Sequence, residues 1–153
     1  NVWYWGSASG LVDGVPFGFN IGYGFGDTSA ASENMLFYGG RAHKLSQVTF
    51  NIPKKNRDYT TRGGCCGSSG VKVSTQDFEE DYMSPWTFTS DDGRFEMDFV
   101  PIIDRAACTD VKLICSDQHQ VFGRFTGKAV LDDGKEIFVK DFLGFAEKVH
   151  NKW

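Results

Sequence analysis

Apolar positions alternate with polar or glycine ones in short stretches along most of the chain, the two-residue period of strands that turn one face to a core. The clearest stretch starts after Asp13-Gly14: Phe17, Phe19, Ile21, Tyr23 and Phe25 point one way and Gly18, Asn20, Gly22 and Gly24 the other. A strand face made of glycine has no side chains to fill space, so it implies a close backbone or a bend, and we expect a packed neighbour. Later, Phe95, Met97 and Phe99 alternate with Arg94, Glu96 and Asp98. Turn signals separate such runs. Gly39-Gly40 lies between 34–38 and 41–45, Asp91-Asp92-Gly93 between 86–90 and 94–100, and Asp132-Asp133-Gly134 before 136–140. Further strands are expected at 2–5, at 48–52 ahead of Pro53, and as a pair at 111–115 and 118–131. The Asp-Gly steps at 13, 92 and 133 are too unevenly spaced for a repeat array.

Two segments depart from this period. Residues 54–82 show none, and the Gly/Ser/Cys tract 63–70 at their centre predicts a mobile, irregular loop. In the last segment Phe142, Phe145, Ala146 and Val149 fall at helical spacing, which predicts a short C-terminal helix docked on the sheet. The inventory is that of one all-β domain over residues 1–153, an antiparallel lipocalin-like (calycin-type) barrel of about 8–9 strands with a terminal helix.

Composition agrees: 18 Gly and 23 aromatic residues among 153 are a β-protein's usage. A formal charge of −4 supplies no basic footprint for nucleic acid or an anionic membrane. No apolar run approaches the ~18 residues of a membrane span, and no signal peptide opens the chain. A start at Asn1 suggests a processed or truncated product. Cys65, Cys66, Cys108 and Cys115 include no C-x-x-C pair, and the spacing of the last two fits no common zinc framework, so neither metal nor other cofactor is expected. Free thiols in a reducing, cytoplasmic setting are the plain reading. Four cysteines also permit disulfides and a secreted form, although no glycosylation sequon is present.

Several groups could carry chemistry. Phe17, Phe19, Tyr23, Trp86, Phe88 and Phe122 would line an apolar pocket, with Asn20, Asn34 and Gln120 orienting a ligand's polar end. A barrel of about eight strands is equally able to fill its interior with its own side chains. The loop 26–34, with Asp27, Thr28, Ser29 and Glu33, sits where a barrel mouth could be, or merely satisfies its own backbone amides. Glu96 could move protons if buried, whereas an outward charged face with Arg94 is the plainer reading. His119 shares a face with Val121 and Phe125 and is the best proton-transfer candidate, set against a satisfied core histidine. No nucleophile elbow, zinc-protease or phosphate-loop motif occurs. Trp3, Trp5, Trp86 and Trp153 as a sugar platform are a minor option.

Four blocks together, GFNIGYGFGDTSAASENMLFY (18–38), PWTFTSDDGRFEMDFVPIIDR (85–105), DQHQVFGRFTGKAVLDDG (117–134) and GFAEKVHNKW (144–153), resemble the C-terminal half of the family called domain of unknown function 2804. That family is similar to paired lipocalin-like proteins such as carotenoid hydratases and tocopherol cyclases. The resemblance implies a large apolar molecule held in or between two barrels. This chain is about half the expected length and carries a Cys-rich insertion, which puts any site between two barrels in doubt. Three functions follow as expectations. The first is a module binding a lipid or isoprenoid. The second is a hydratase, cyclase or isomerase using His119, Glu96 or Glu33. The third is a structural half that packs, through its glycine face, against a second barrel or another copy.

Overall fold

The computed structural model describes residues 1–26, 32–56, 78–111 and 114–152. Asp27, Thr28, Ser29, the tract 63–70 with Cys65 and Cys66, and Trp153 lie outside the described residues, so the expectations placed on them are not addressed. The described chain is all β. It runs β1 (Val2–Val12), β2 (Val15–Tyr23), β3 (Met35–Tyr38), β4 (Arg41–Lys44), β5 (Val48–Asn51), β6 (Lys54–Asn56), β7 (Phe78–Glu80), β8 (Trp86–Ser90), β9 (Phe95–Val111), β10 (Ile114–Val130) and β11 (Glu136–Lys152). Nine strands form one antiparallel sheet in the order β4-β3-β2-β1-β11-β10-β9-β8-β5, and β6 pairs with β7.

The sheet curls into a half-barrel, in agreement with the lipocalin-like barrel expected. No ladder joins its edge strands β4 and β5 among the described residues. Arg94 ties β4 to the end of β10, donating from Nε to Val130 O (3.0 Å), from Nη1 to Lys44 O (2.8 Å) and from Nη2 to Asp132 Oδ1 (2.7 Å). Arg94 is therefore a clamp, not the solvent-facing partner expected of it.

The glycine face of β2 has a specific cause. A Cβ on Gly18 would stand 2.8 Å from the carbonyl oxygen of Ala8, and one on Gly22 2.7 Å from that of Tyr4. The close neighbour is thus the backbone of β1 in the same sheet. The glycines permit the coiling that curls the sheet.

The inner face is filled by rings. Phe19 meets Phe95 and Phe125 edge-on at 5.0 Å, Phe99 lies 4.5 Å from Phe125, and Phe88 bridges to Phe50 at 4.6 Å. These spacings are those of favourable aromatic pairs. Phe19, Phe88, Phe95, Phe99 and Phe125 are at most 1 % exposed, so the filled-core alternative is the one realised here.

The predicted C-terminal helix is absent: residues 136–152 are one strand. Phe142 and Ala146 belong to its inner face, whereas Phe145 packs outward against Trp5 (4.9 Å) and Val149 shares that outer face. Both faces are apolar, and their union at 142, 145, 146 and 149 imitates a helical period. Asp141, at φ 53°, also breaks the strand's alternation, so the inner positions pass from 137 and 139 to 142 and 146.

β9 carries a second irregularity. Phe122 pairs with Ile103 but Gly123 with Pro101, so one extra residue is inserted and the inner face changes from odd to even positions. Before this bulge, Glu96 and Asp98 face out. After it, Asp104 faces in.

Candidate functional site

One row above the aromatic core, the inner face becomes polar. The ladders align Tyr23, Tyr4, Lys148 and His119 side by side across β2, β1, β11 and β10. The bulge in β9 then brings Asp104 beside His119, with Oδ2 2.6 Å from Nδ1. A carboxylate accepts but does not donate, so Nδ1 carries a proton and donates it to Asp104. Nε2 faces Asp117 Oδ1 at 3.6 Å. Asp104 Oδ1 is buried and has no hydrogen-bond partner among the described residues.

The β6–β7 hairpin lies over this end. Its exit is tied down by the Asp81 amide donating to Pro53 O at 2.8 Å, and Trp86 Nε1 donates to Tyr82 O at 3.1 Å. Tyr82 consequently stacks flat on the His119 ring, with centroids 3.8 Å apart at 9°. Its hydroxyl donates to Glu80 Oε2 at 2.6 Å, and Lys148 Nζ donates to Glu80 Oε1 at 2.6 Å while lying 5.5 Å from the Tyr4 ring. Burial, then the bond to Glu80, holds the Tyr82 phenol far above its ordinary range, so it stays protonated and donating. Burial beside Tyr4 pushes Tyr23 up to about 12, although a hydrogen bond with the Phe50 backbone acts in the opposite direction. The Ser84 hydroxyl and the Met83 amide keep Asp81 below the usual aspartate range despite its partial desolvation.

These side chains border a cleft of about 480 Å³ reaching from Lys55 and Glu79 to Asp104, Asp117 and His119. A histidine held by a partly exposed carboxylate through one nitrogen, with the other nitrogen facing a cleft, is the arrangement of a general base.

The other residues singled out from the sequence are elsewhere. Phe17, Phe19, Trp86 and Phe88 are buried in the core. Asn34 is buried with both ends of its amide bonded, accepting from the Gly22 amide (2.7 Å) and donating to Ser46 O (3.0 Å). On the outer face, Asn20 accepts from Trp5 Nε1 at 2.7 Å and donates to Glu33. Gln120 donates to Glu147 at 2.9 Å, and Phe122 packs 6.0 Å from Phe145. Glu33 and Glu96 are exposed. Only His119 and Tyr23 reach the polar row. Asp104, Tyr82, Glu80, Asp117 and Lys148 were not foreseen. The pairing of β9 with β10 would have brought Asp104 near His119, but the bulge that turns it inward leaves no periodic trace.

Comparison with known families supplies a match over residues 1–153 to a family model described as "Domain of unknown function (DUF2804)". The chain belongs to the DUF2804 family. Neither curated proteins nor solved structures yield a match. Two further features of this DUF2804 chain bear on its chemistry. Cys108 and Cys115, near the tip of the β9–β10 hairpin, each take part in a disulfide, which replaces the free-thiol reading of these two residues. Among the described residues, no helix is long and apolar enough to cross a membrane.

Proposed function

We propose that this chain acts by proton transfer on a small molecule held at the open end of the half-barrel, a hydratase- or isomerase-type chemistry with His119 as the base. The observation that carries this reading is the Asp104–His119 pair, 2.6 Å apart, opening onto the cleft. His119 Nε2 takes a proton from the bound molecule. Asp104 stabilises the imidazolium that forms and fixes the ring's orientation. Tyr82 covers one face of the ring and excludes water from it. An interior filled by phenylalanine supports the open end, not the barrel centre, as the place for a ligand.

The probe is 5-nitrobenzisoxazole, which loses its C3 proton to a base as its N–O bond breaks, giving a coloured cyanophenolate. The expected result is a rate above buffer that His119→Gln abolishes and Asp104→Asn lowers at least about tenfold. A wild-type rate equal to that of His119→Gln would contradict the proposal.

A second reading, binding of an apolar lipid or isoprenoid without turnover, is favoured by a different observation. A groove of about 770 Å³ on the outer side of β1, β2 and β3 is bordered by Leu11, Pro16 and Phe37, with Leu11 69 % exposed. Protection of Phe37 resonances by a long-chain alcohol would support it. That Cys108 and Cys115 are each held in a disulfide favours an oxidising compartment over the cytoplasm expected from sequence.

A further inference from the structure

The outer side of the sheet has two halves of opposite relief. Outward positions on β1 and β2 are mostly short, with Ser7 beside Asn20 and Ser9 beside Gly18. Their shortness opens the groove of about 770 Å³, whose far wall is Phe37, opposite Gly18 on β3. On β11 and β10 the outward positions are long: Phe145 pairs with Phe122, and Leu143, 59 % exposed, pairs with Arg124. Phe145 is also the cross-strand neighbour of Ser7, so a ridge runs directly alongside the groove. One further row crosses both halves, through Arg105, Gln120, Glu147, Trp5 and Gly22, and it ends in opposite charges. Arg105 is exposed at the β9 end. At the other end the exposed Glu33 brings its Oε1 to 3.1 Å from where a Cβ on Gly22 would stand.

We propose that this outer face docks a second copy of the chain, across a two-fold axis that runs along the strands between β1 and β11. A half-turn about that axis exchanges ridge and groove while keeping every row at its own height. Phe145 and Leu143 of each copy enter the groove over the partner's Ser7 and Ser9, the two sheets packing with their strands nearly aligned. Arg105 meets the partner's Glu33 at both rims. An apolar centre inside a charged rim is the common anatomy of protein interfaces, and a contact made by the same patch on both copies closes at two. A lipid in the groove would use neither the ridge nor the charge match, so a second copy is the better-fitting occupant. His119 and its cleft lie on the inner side of the sheet, and this docking is independent of the proton-transfer reading.

The test is the mass of the full chain in solution, followed by light scattering up to about 100 μM, where a contact of micromolar strength is largely formed. The expected result is a dimer that dissociates on dilution. Leu143→Glu, at a position already exposed, should leave a monomer, with circular dichroism showing that it remains folded. Arg105→Glu alone should weaken the dimer at least about tenfold, and adding Glu33→Arg should restore it, because the two charges are then merely exchanged. If Leu143→Glu does not fold, the exchange of Arg105 and Glu33 still decides. A wild type that stays monomeric overturns the proposal, and so does a dimer that Leu143→Glu leaves intact or that the double variant fails to restore. A monomer whose Phe37 resonances respond to a long-chain alcohol overturns it too and gives the groove to lipid binding.

Discussion

The lower and upper halves of the inner face are built from the same strands and follow opposite rules. In the lower half, β9 and β10 contribute Phe95, Met97, Phe99, Phe125 and Ala129, all at most 3 % exposed. In the upper half the same two strands contribute Asp104, Asp117 and His119, each partly exposed. The lower half gains its stability from apolar area removed from water and from close packing. The upper half desolvates charges partly, and among the described residues it sets Lys55, Lys148 and His119 each beside a carboxylate. A surface needed only to seal the end of a core could use leucine or tyrosine at far lower electrostatic cost. The polar row is therefore best understood through what it does to a bound molecule.

Substitutions can break this contrast. The largest effect is expected in the lower half, where Phe125→Ala removes a ring touching Phe19, Phe88 and Phe99 and should cost about 3–5 kcal/mol in denaturant unfolding. Next comes Gly123→Ala. Its methyl would stand 2.6 Å from the Val100 carbonyl oxygen, against the Phe99 ring, for an expected loss of about 1–3 kcal/mol. Arg94→Gln unties β4 from the end of β10. Because that side chain is about one-quarter exposed (24 %), about 1–2 kcal/mol is expected. Asp104→Asn should shift the unfolding midpoint least, by under about 1 kcal/mol, because an amide oxygen can still accept from His119. The same variant should nevertheless remove most proton-transfer activity. A large stability loss with unchanged activity would make the polar row a structural seal.

Acid pH probes the same division, because two of the depressed carboxyl groups, Asp92 and Asp132, lie in turns away from the open end, while a third, Asp81, borders it. Asp92 is pushed up by desolvation, but the Ser90 hydroxyl and the amides of Arg94 and Ser46 outweigh this and lower it. The hydrogen bond from Arg94, with help from His43, lowers Asp132. Groups whose folded pKa lies below the unfolded value stabilise the fold at higher pH and lose that contribution as pH falls through the folded value. The melting temperature should therefore hold steady at neutral pH and fall once the pH drops below the ordinary aspartate value of 3.8. Arg94→Gln should flatten that acid limb.

Much of the lower half was legible in the sequence, because period-two alternation in 17–23 and 95–99 and the turns at 39–40, 91–93 and 132–134 are local signals. The upper half was legible only at His119. Asp104 faces inward because of a single inserted residue at the Phe122/Gly123 pairing, and a bulge shifts the phase of a pattern without announcing itself. Tyr82 and Glu80 arrive from a stretch with no period at all. The strand 136–152 was misread at its end because it buries apolar groups on both faces, and a two-sided strand mimics a helix in projection. β1 was read as four residues, yet it runs to eleven. Its Gly6–Gly10 segment has little strand propensity, and pairing on both sides overrides it.

The account stands or falls on where a small molecule meets this protein. Mapping a mixture of small neutral and cationic aromatic compounds by amide and ring NMR tests it most directly. Shifts should gather at Tyr82, Asp104, Asp117 and His119 and leave the rings of Phe19, Phe88 and Phe125 unmoved. Shifts centred on those three phenylalanines, with His119 unchanged, would place the ligand inside the barrel and contradict it.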